Sequence, residues 1–476
     1  MAESMEERYQ ARLDRYVTAL RNKRPDRVPI RPFVAEFAAK YAGYTCQEVT
    51  HDFQKAFDAV CRCAVDFDWD AMVGNMVYVW TGLTQAIGLR YYGTPGIDVP
   101  PDTGFQYLEP PQGEEFMRAD EYDALIADPT GFLFNTWLPR VSRDIVPPGE
   151  PSTFRSNLAF LKGGMAMWNY FGGFGAQAQR MRAECGMPGA IGGILKAPLD
   201  ILGDKLRGYV GLSMDLLNQP DKVKAACEAL APHLLSTALA TSDPAKNVPI
   251  TIWMHRGCVP FISMDQFKTL YWPTLKPIIE AIWASGHQVL FYAEGDWNAH
   301  LESFAELPEG SIVYHVDKAD IFEAHRVLGN RFCITGGIPN FLLTYGTVDE
   351  VKDCCKKVID EVGADGGYIL DASAIIQNDA KIENVRAMTE FTREYGVYRG
   401  GASEPAGNAE WKRVAAPEAS PRVGRPAKRA PGVCIPWEEK AAELPALQGD
   451  AGLVRRVWEE VDALGFTFIM HCLVSF

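Results

Sequence analysis

Three side chains that can do acid–base or metal chemistry stand at the ends of short, mainly apolar runs. They are His255, Glu294 and Asp317, and Asp371 ends a fourth run in the same way. An imidazole can ligate a metal or move a proton, and a carboxylate placed after a buried run needs a cation, a metal or a proton. Because none of these runs supplies a thiolate, the set suits Zn²⁺ or another borderline cation with an open coordination position.

Each of these residues also has a structural alternative. The imidazole of His255 could bond to backbone, and Glu294 could form a salt bridge that only holds the rim of the site. Asp317 could cap the following helix, a role that Asp320 also suits. We keep both readings open and predict His255, Glu294 and Asp317 as the catalytic residues and as the ligands of a possible metal.

A second group of residues lies in such runs or shortly after them and could contact a substrate. The glycines before Asn340 allow a close backbone approach, although they could simply make a tight turn. The rings of Tyr292 and Trp297 could hold a flat apolar molecule, or they could be core. The predicted substrate-binding residues are Asn75, Arg256, Tyr292, Trp297, Asn340 and Ser373.

The elements that must position these residues are eight β-branched or aromatic runs, each followed by a helical stretch. Strands that alternate with helices pair in parallel, and eight of them close into a (β/α)8 TIM barrel. The carboxyl ends of such strands form the active face. The runs are 28–34, 70–75, 190–194, 249–255, 288–294, 311–317, 331–336 and 367–371.

The predicted barrel is preceded by a helical arm, contains one long insertion and is followed by a linker and a helical extension. An amphipathic helical arm occupies 1–27, and the barrel occupies 28–400. The excursion 76–188 is rich in aromatic residues and predicts a lid or pocket wall, with structural padding as the alternative. A Pro-rich linker, 401–432, leads to a helical extension, 433–476, whose apolar end must be buried on the barrel or against another subunit; we expect a homodimer contact.

The composition restricts the partners. A net charge of −14 argues against a nucleic-acid or anionic-membrane surface, because a phosphate backbone needs a concentrated basic face. No apolar run is long enough to span a bilayer, and the charged start shows no secretory signal, so we expect a cytoplasmic protein. The 11 cysteines show no CxxC pair and are expected to be reduced thiols.

Several longer stretches resemble the uroporphyrinogen decarboxylase superfamily. They are 21–30, 260–280, 286–296, 336–351 and 383–388, and the similarity runs over about residues 10 to 400. The resemblance implies a (β/α)8 barrel whose site lies at the carboxyl ends of the strands.

The superfamily contains porphyrinogen decarboxylases and corrinoid-dependent methyltransferases, and the residues here favour the second branch. Decarboxylases carry paired arginines after the first strand and an aspartate after the second, where this chain has only Arg31 and Asn75. Coenzyme M methylases bind zinc through His-x-Cys and a further Cys. The matching residues are Tyr292, Glu294 and Ser373, so this thiolate site is missing.

The resemblance therefore implies a first methyltransferase that takes methyl from a small donor, such as a methoxylated aromatic, and passes it to corrinoid cobalt. The chain has no Asp-x-His-x-x-Gly segment, so the cobalamin is expected on a partner corrinoid protein. Either a bound metal acts as Lewis acid, or Glu294 or His255 protonates the leaving oxygen. The alternatives are a lyase for a small carboxylic acid, anchored by Arg31, Arg256 or Lys318, and a binding protein without activity.

Overall fold

The computed structural model describes residues 3–73, 81–400, 402, 422–426 and 428–474. Asn75 and most of the predicted linker 401–432 lie outside these described residues. None of the described helices combines the length and the apolar character needed to cross a membrane.

A parallel sheet of six strands forms the centre of the fold, in the order β3-β4-β5-β6-β7-β8. Its central strands are buried along their whole length because helices cover the sheet, which explains their unbroken apolar runs. The short strands β1 and β2 form a separate antiparallel pair. The strands are β1 Tyr92–Gly93, β2 Gln106–Tyr107, β3 Gly193–Lys196, β4 Ile250–Met254, β5 Val289–Ala293, β6 Ile312–Val316, β7 Cys333–Ile338 and β8 Tyr368–Ala372.

The first two predicted strands complete the ring through isolated parallel bridges. Ile30 pairs with Leu370 of β8, and Met72 pairs with Gly189 just before β3. The Asp70 N–H donates to the Ile30 carbonyl at 2.9 Å, which joins the two segments to each other. Pro29 and Pro32 have no N–H to donate, so the first segment cannot form a full ladder. The six-stranded parallel sheet and its helices agree with the predicted (β/α)8 fold, in which these two runs contribute isolated bridges and not regular strands.

Helices surround the ring and cover its amino end. The helix Met5–Leu20 lies across the starts of the strands, where the Tyr16 hydroxyl donates to the Ala190 carbonyl and Gln288 Nε2 donates to the Leu20 carbonyl. The remaining helices are Glu36–Ala42, Cys46–His51, Phe53–Phe67, Thr81–Ile87, Tyr122–Ala127, Pro129–Phe132, Leu138–Val141, Phe154–Arg180, Pro198–Ile201, Tyr209–Asn218, Pro220–Ala240, Met264–Gln266, Trp272–Ala284, Leu301–Phe304, Ile321–Leu328, Asn340–Tyr345, Val348–Glu361, Ile382–Tyr395, Trp437–Glu443 and Ala451–Val474.

The apolar segment 466–474 is buried against the rest of the chain. Phe468 lies against Gly163 of the long helix Phe154–Arg180, and the Tyr91 hydroxyl donates to the Cys472 carbonyl at 3.1 Å. Leu473 is fully buried. Of the two predicted coverings for this segment, the structure supplies the intramolecular one, so residues 466–474 are not available for the expected dimer contact.

Candidate functional site

The site is built around His255, which follows the last residue of β4. Its Nδ1 lies 2.9 Å from Asp204 Oδ2, and its Nε2 faces Glu294 Oε2 at 3.9 Å. The contact with Asp204 is within hydrogen-bonding distance, whereas the contact with Glu294 is too long for a hydrogen bond. An oxygen atom placed between Nε2 and Glu294 could accept a hydrogen bond from the imidazole. The structure thus brings together two of the three predicted catalytic residues, at the carboxyl ends of neighbouring strands.

Asp204 is a site residue that the sequence analysis missed. It lies in the π-helical turn Leu202–Arg207 after β3. Lys196 Nζ and the Tyr209 hydroxyl both donate to its carboxylate, in addition to the contact with His255. Only its partner Lys196 carried a signal in the sequence, because Lys196 ends an apolar strand in the same way as the predicted residues do. Lys196 and Asp204 are both buried, so their charges compensate each other away from water.

This pairing controls the charge of the imidazole. Burial opposes protonation of His255, but the negative charges of Asp204 and Glu294 outweigh it and raise its pKa above the usual 6.5. Burial likewise disfavours ionised Asp204, yet Lys196 and His255 hold its pKa well below 3.8. Asp204 is therefore a carboxylate, and His255 keeps its imidazolium form to a higher pH than an ordinary histidine does.

A second buried carboxylate, Asp200, fixes the loop that carries the imidazole. It accepts the backbone N–H groups of His255 at 3.1 Å and of Arg256 at 2.8 Å. The Tyr271 hydroxyl donates to the same carboxylate at 3.1 Å. These bonds hold His255 at the site because its backbone cannot turn without breaking them.

Asp317, the third predicted catalytic residue, braces the turn after β5. Its Oδ2 accepts the Gly295 N–H at 2.8 Å, and Gly295 has a φ of +100° that favours glycine. Burial, with a further contribution from the charge of Glu294, raises the pKa of Asp317 to about 6. The predicted helix cap is Asp320, which accepts the N–H groups of Phe322 and Glu323. Asp317 thus fixes the turn that follows Glu294.

The predicted metal site does not assemble. Within the described ranges, no group of three or more His, Cys, Asp or Glu side chains is arranged to hold a metal ion. Asp204 occupies one ring nitrogen of His255, and the Oδ2 of Asp317 accepts a backbone N–H. His255, Glu294 and Asp317 therefore do not fit a three-ligand centre, and we derive no step through a metal.

Two aromatic residues predicted to bind substrate lie in the packed interior. Tyr292 is 1% exposed and stacks on His315 with ring centroids 4.3 Å apart. Trp297 is 0% exposed, and its Nε1 donates to the Glu294 carbonyl at 2.8 Å. Neither ring presents a surface to a bound molecule. In this structure they are not on a pocket wall, because Tyr292 packs inside the ring and Trp297 packs behind the β5 turn.

Among the other predicted binding residues, two fix a loop and one is partly exposed. Asn340 Nδ2 donates to the Ile375 carbonyl at 2.8 Å, and the Ser373 carbonyl accepts from His315 Nε2 at 2.8 Å, so both tie down the loop after β8. Asn75 lies outside the described residues. Arg256 is partly exposed, and its guanidinium carbon lies 5.0 Å from the ring centre of Tyr209 and 4.4 Å from that of Phe261.

The remaining predicted group at a strand end, Asp371, forms a buried ion pair. Arg31 Nη1 lies 3.0 Å from Asp371 Oδ2, and both side chains are 0% exposed. The Phe33 N–H also donates to Asp371. Arg31 is thus committed to an internal partner and cannot anchor the carboxylates of a large polyanionic substrate.

A cavity of about 640 Å³ lies away from these residues. It is lined by Tyr170, Phe171 and the residues at the start of β3, at the opposite end of that strand from Lys196. It is therefore separate from the site around His255.

Comparison with known proteins agrees with this architecture. Residues 176–395 match the family described as Uroporphyrinogen decarboxylase (URO-D). Among solved structures, a methyltransferase from Methanosarcina mazei is similar, with a TM-score of 0.52 and 16% sequence identity, over 83% of this chain and 99% of that one. At this identity the likeness concerns the fold. A comparison with curated protein sequences gave no match.

Proposed function

We propose that this chain, whose residues 176–395 match the uroporphyrinogen decarboxylase family, is a methyltransferase that moves a methyl group from a small donor to corrinoid cobalt on a partner protein. One observation carries the proposal: the imidazole of His255 is held by Asp204 on one side and presents its other nitrogen towards Glu294. A methylated oxygen such as that of a methoxylated aromatic is a poor leaving group, and an imidazolium in this position can protonate it.

In the proposed step, the methyl group moves from the ether oxygen of the donor to the acceptor. The electron pair of the acceptor forms the new bond to the methyl carbon, and the carbon–oxygen bond breaks with its pair passing to the oxygen. The Nε2 proton of the His255 imidazolium goes to that oxygen, so the leaving group departs as a neutral alcohol. Asp204 stabilises the imidazolium from the Nδ1 side. Glu294 orients the proton and can return one to His255 from solvent, since its side chain is 34% exposed.

A reduced cobalt carried by the partner would supply the nucleophile. The barrel then has to bind the donor, orient its methyl group towards the mouth and provide the proton. General acid assistance of this kind typically contributes roughly 10²- to 10⁴-fold to the rate.

The buried Arg31–Asp371 pair supports this function over porphyrinogen decarboxylation. A tetrapyrrole with many carboxylates needs several cations, and Arg31 is already paired. One observation favours a second candidate, a lyase for a small carboxylic acid: Arg256 has no acidic partner among the described side chains. Such a lyase would turn over without any corrinoid.

The test is incubation of the purified chain with cob(I)alamin and a panel of methoxylated aromatics, methylamines and methyl thiols. We expect methylcobalamin to form, as followed by its absorbance, and the demethylated product to accumulate in equal amount. Release of CO₂ from a small acid in the absence of corrinoid, with no methylcobalamin, would support the lyase. Metal analysis of the same preparation shows whether the protein binds a metal ion.

A further inference from the structure

We infer that Arg256 binds an anionic group of the methyl donor, so that the donor class is a small aromatic ether bearing a carboxylate. This inference rests on the proposed function and deepens it, because it names a chemical feature of the substrate at the same site. Three observations lead to it.

The first observation is that the guanidinium of Arg256 has no counter-charge in the described part of the chain. The neighbouring cations are already engaged: Lys196 pairs with Asp204, and Arg207 pairs with Asp215. The Lys205 Nζ donates to the Tyr92 hydroxyl at 3.0 Å. No described carboxylate lies within ion-pair distance of the guanidinium of Arg256, so its five N–H donors remain for a ligand.

The second observation is that this guanidinium is held in place without its donors being consumed. The rings of Tyr209 and Phe261 lie 5.0 and 4.4 Å from its central carbon, and the backbone N–H of Arg256 is fixed by Asp200. Contacts with aromatic rings do not use the N–H groups as donors to an oxygen, so the fork can still bind both oxygens of a carboxylate. A preorganised fork of this kind selects planar oxyanions.

The third observation is that the anion site and the proton donor share one wall. Arg256 follows His255 in the chain, and Tyr209 contacts the guanidinium of Arg256 while its hydroxyl donates to Asp204. A flat molecule with a carboxylate on Arg256 therefore lies beside the imidazole that would protonate its ether oxygen. The surrounding rings of Tyr107, Tyr209 and Phe261 suit an aromatic body.

The test is equilibrium binding of the three isomeric methoxybenzoates to the full chain, each compared with its neutral methoxybenzamide, in the absence of corrinoid. We expect at least one benzoate to bind more tightly than its amide by roughly 10- to 100-fold, the range of a hydrogen bond to a charged group. Arg256→Gln should remove this difference and leave amide binding unchanged, and Arg256→Lys should restore part of it. Arg118→Gln, at an exposed arginine, is the matched control and should change nothing.

Equal binding of every benzoate and its amide, or a preference that survives Arg256→Gln in a protein with unchanged melting temperature, overturns the inference. Its failure is distinguishable from that of the proposed function. Methyl transfer from neutral ethers with no charge preference would reject only the role of Arg256. Charge-selective binding that depends on Arg256, without methyl transfer from any donor, would reject only the methyltransferase.

Discussion

His255 Nδ1 lies 2.9 Å from Asp204 Oδ2, and this contact joins an imidazole after β4 to a carboxylate in the π-helical turn after β3. The pair fixes which ring nitrogen is free for chemistry. It also predicts how the activity depends on pH, because the proton donor is the imidazolium.

Asp204→Asn should slow methyl transfer and shift its alkaline limit to lower pH. The charge of Asp204 raises the pKa of His255 against the effect of burial, so its loss lowers that pKa. A pKa raised on folding means that the ion pair stabilises the protein fully below the unfolded pKa of 6.5 and ceases to do so as pH rises through the folded pKa. The measurements are the pH–rate profile and the melting temperature across that range.

Asp265→Asn, at an exposed aspartate, is the control for Asp204→Asn. An alkaline limit that stays in place in Asp204→Asn would show that His255 is not the titrating acid.

Lys196→Met should move the alkaline limit in the opposite direction. The positive charge of Lys196 lowers the pKa of His255, so the imidazole should lose its proton at higher pH in the variant. Lys162→Met, on the exposed face of the helix Phe154–Arg180, is the matched substitution away from the site. The same pH–rate profile measures the shift, and a downward shift would contradict the charge network described above.

Glu294→Gln should reduce the rate of methylcobalamin formation by roughly 10²-fold and leave donor binding nearly unchanged. The carboxylate faces Nε2 of His255, and its negative charge contributes to the raised pKa of the imidazole. The amide of glutamine carries no charge and makes no such contribution. The variant should also lower the pKa of Asp317, which NMR titration can follow, since the charge of Glu294 helps to raise it. Glu309→Gln, at an exposed glutamate, serves as reference. An unaffected rate removes Glu294 from catalysis.

Arg31→Met should destabilise the fold by about 3–5 kcal/mol, because it leaves Asp371 buried and without its cation. Replacing both partners, in Arg31→Met with Asp371→Leu, should cost less than the single change. Urea denaturation gives both free energies of unfolding. If the single variant is as stable as the parent chain, the ion pair is not holding the barrel together.

The C-terminal helix offers a comparison of the same substitution at two depths. Leu473 is fully buried and Leu453 is 53% exposed on the same helix. Leu473→Ala should cost about 2–5 kcal/mol of the free energy of unfolding, and Leu453→Ala should change it by less than about 0.5 kcal/mol. Equal small effects would mean that residues 466–474 do not pack against the rest of the chain as described.

The alternation of apolar runs and helical stretches was sufficient to predict the barrel. Parallel strands covered by helices must be apolar along their length, and this local pattern is visible in β4 to β6 without any tertiary information. The same logic placed His255 and Glu294 at one edge, since the carboxyl ends of neighbouring parallel strands meet there. The burial of Tyr292 and Trp297 could not be predicted in this way, because aromatic residues near the end of a strand are found in the core and in pockets alike.

The sequence by itself therefore determined the architecture and most of the polar residues at the strand ends. Only the tertiary structure decided which carboxylate holds His255: Asp204, which no local pattern singled out, and not Asp317, which braces a turn. The reason is physical. Strand periodicity depends on neighbours along the chain, whereas a side-chain ion pair depends on how the turn after β3 folds back over the end of β4, and that is settled by packing between distant segments.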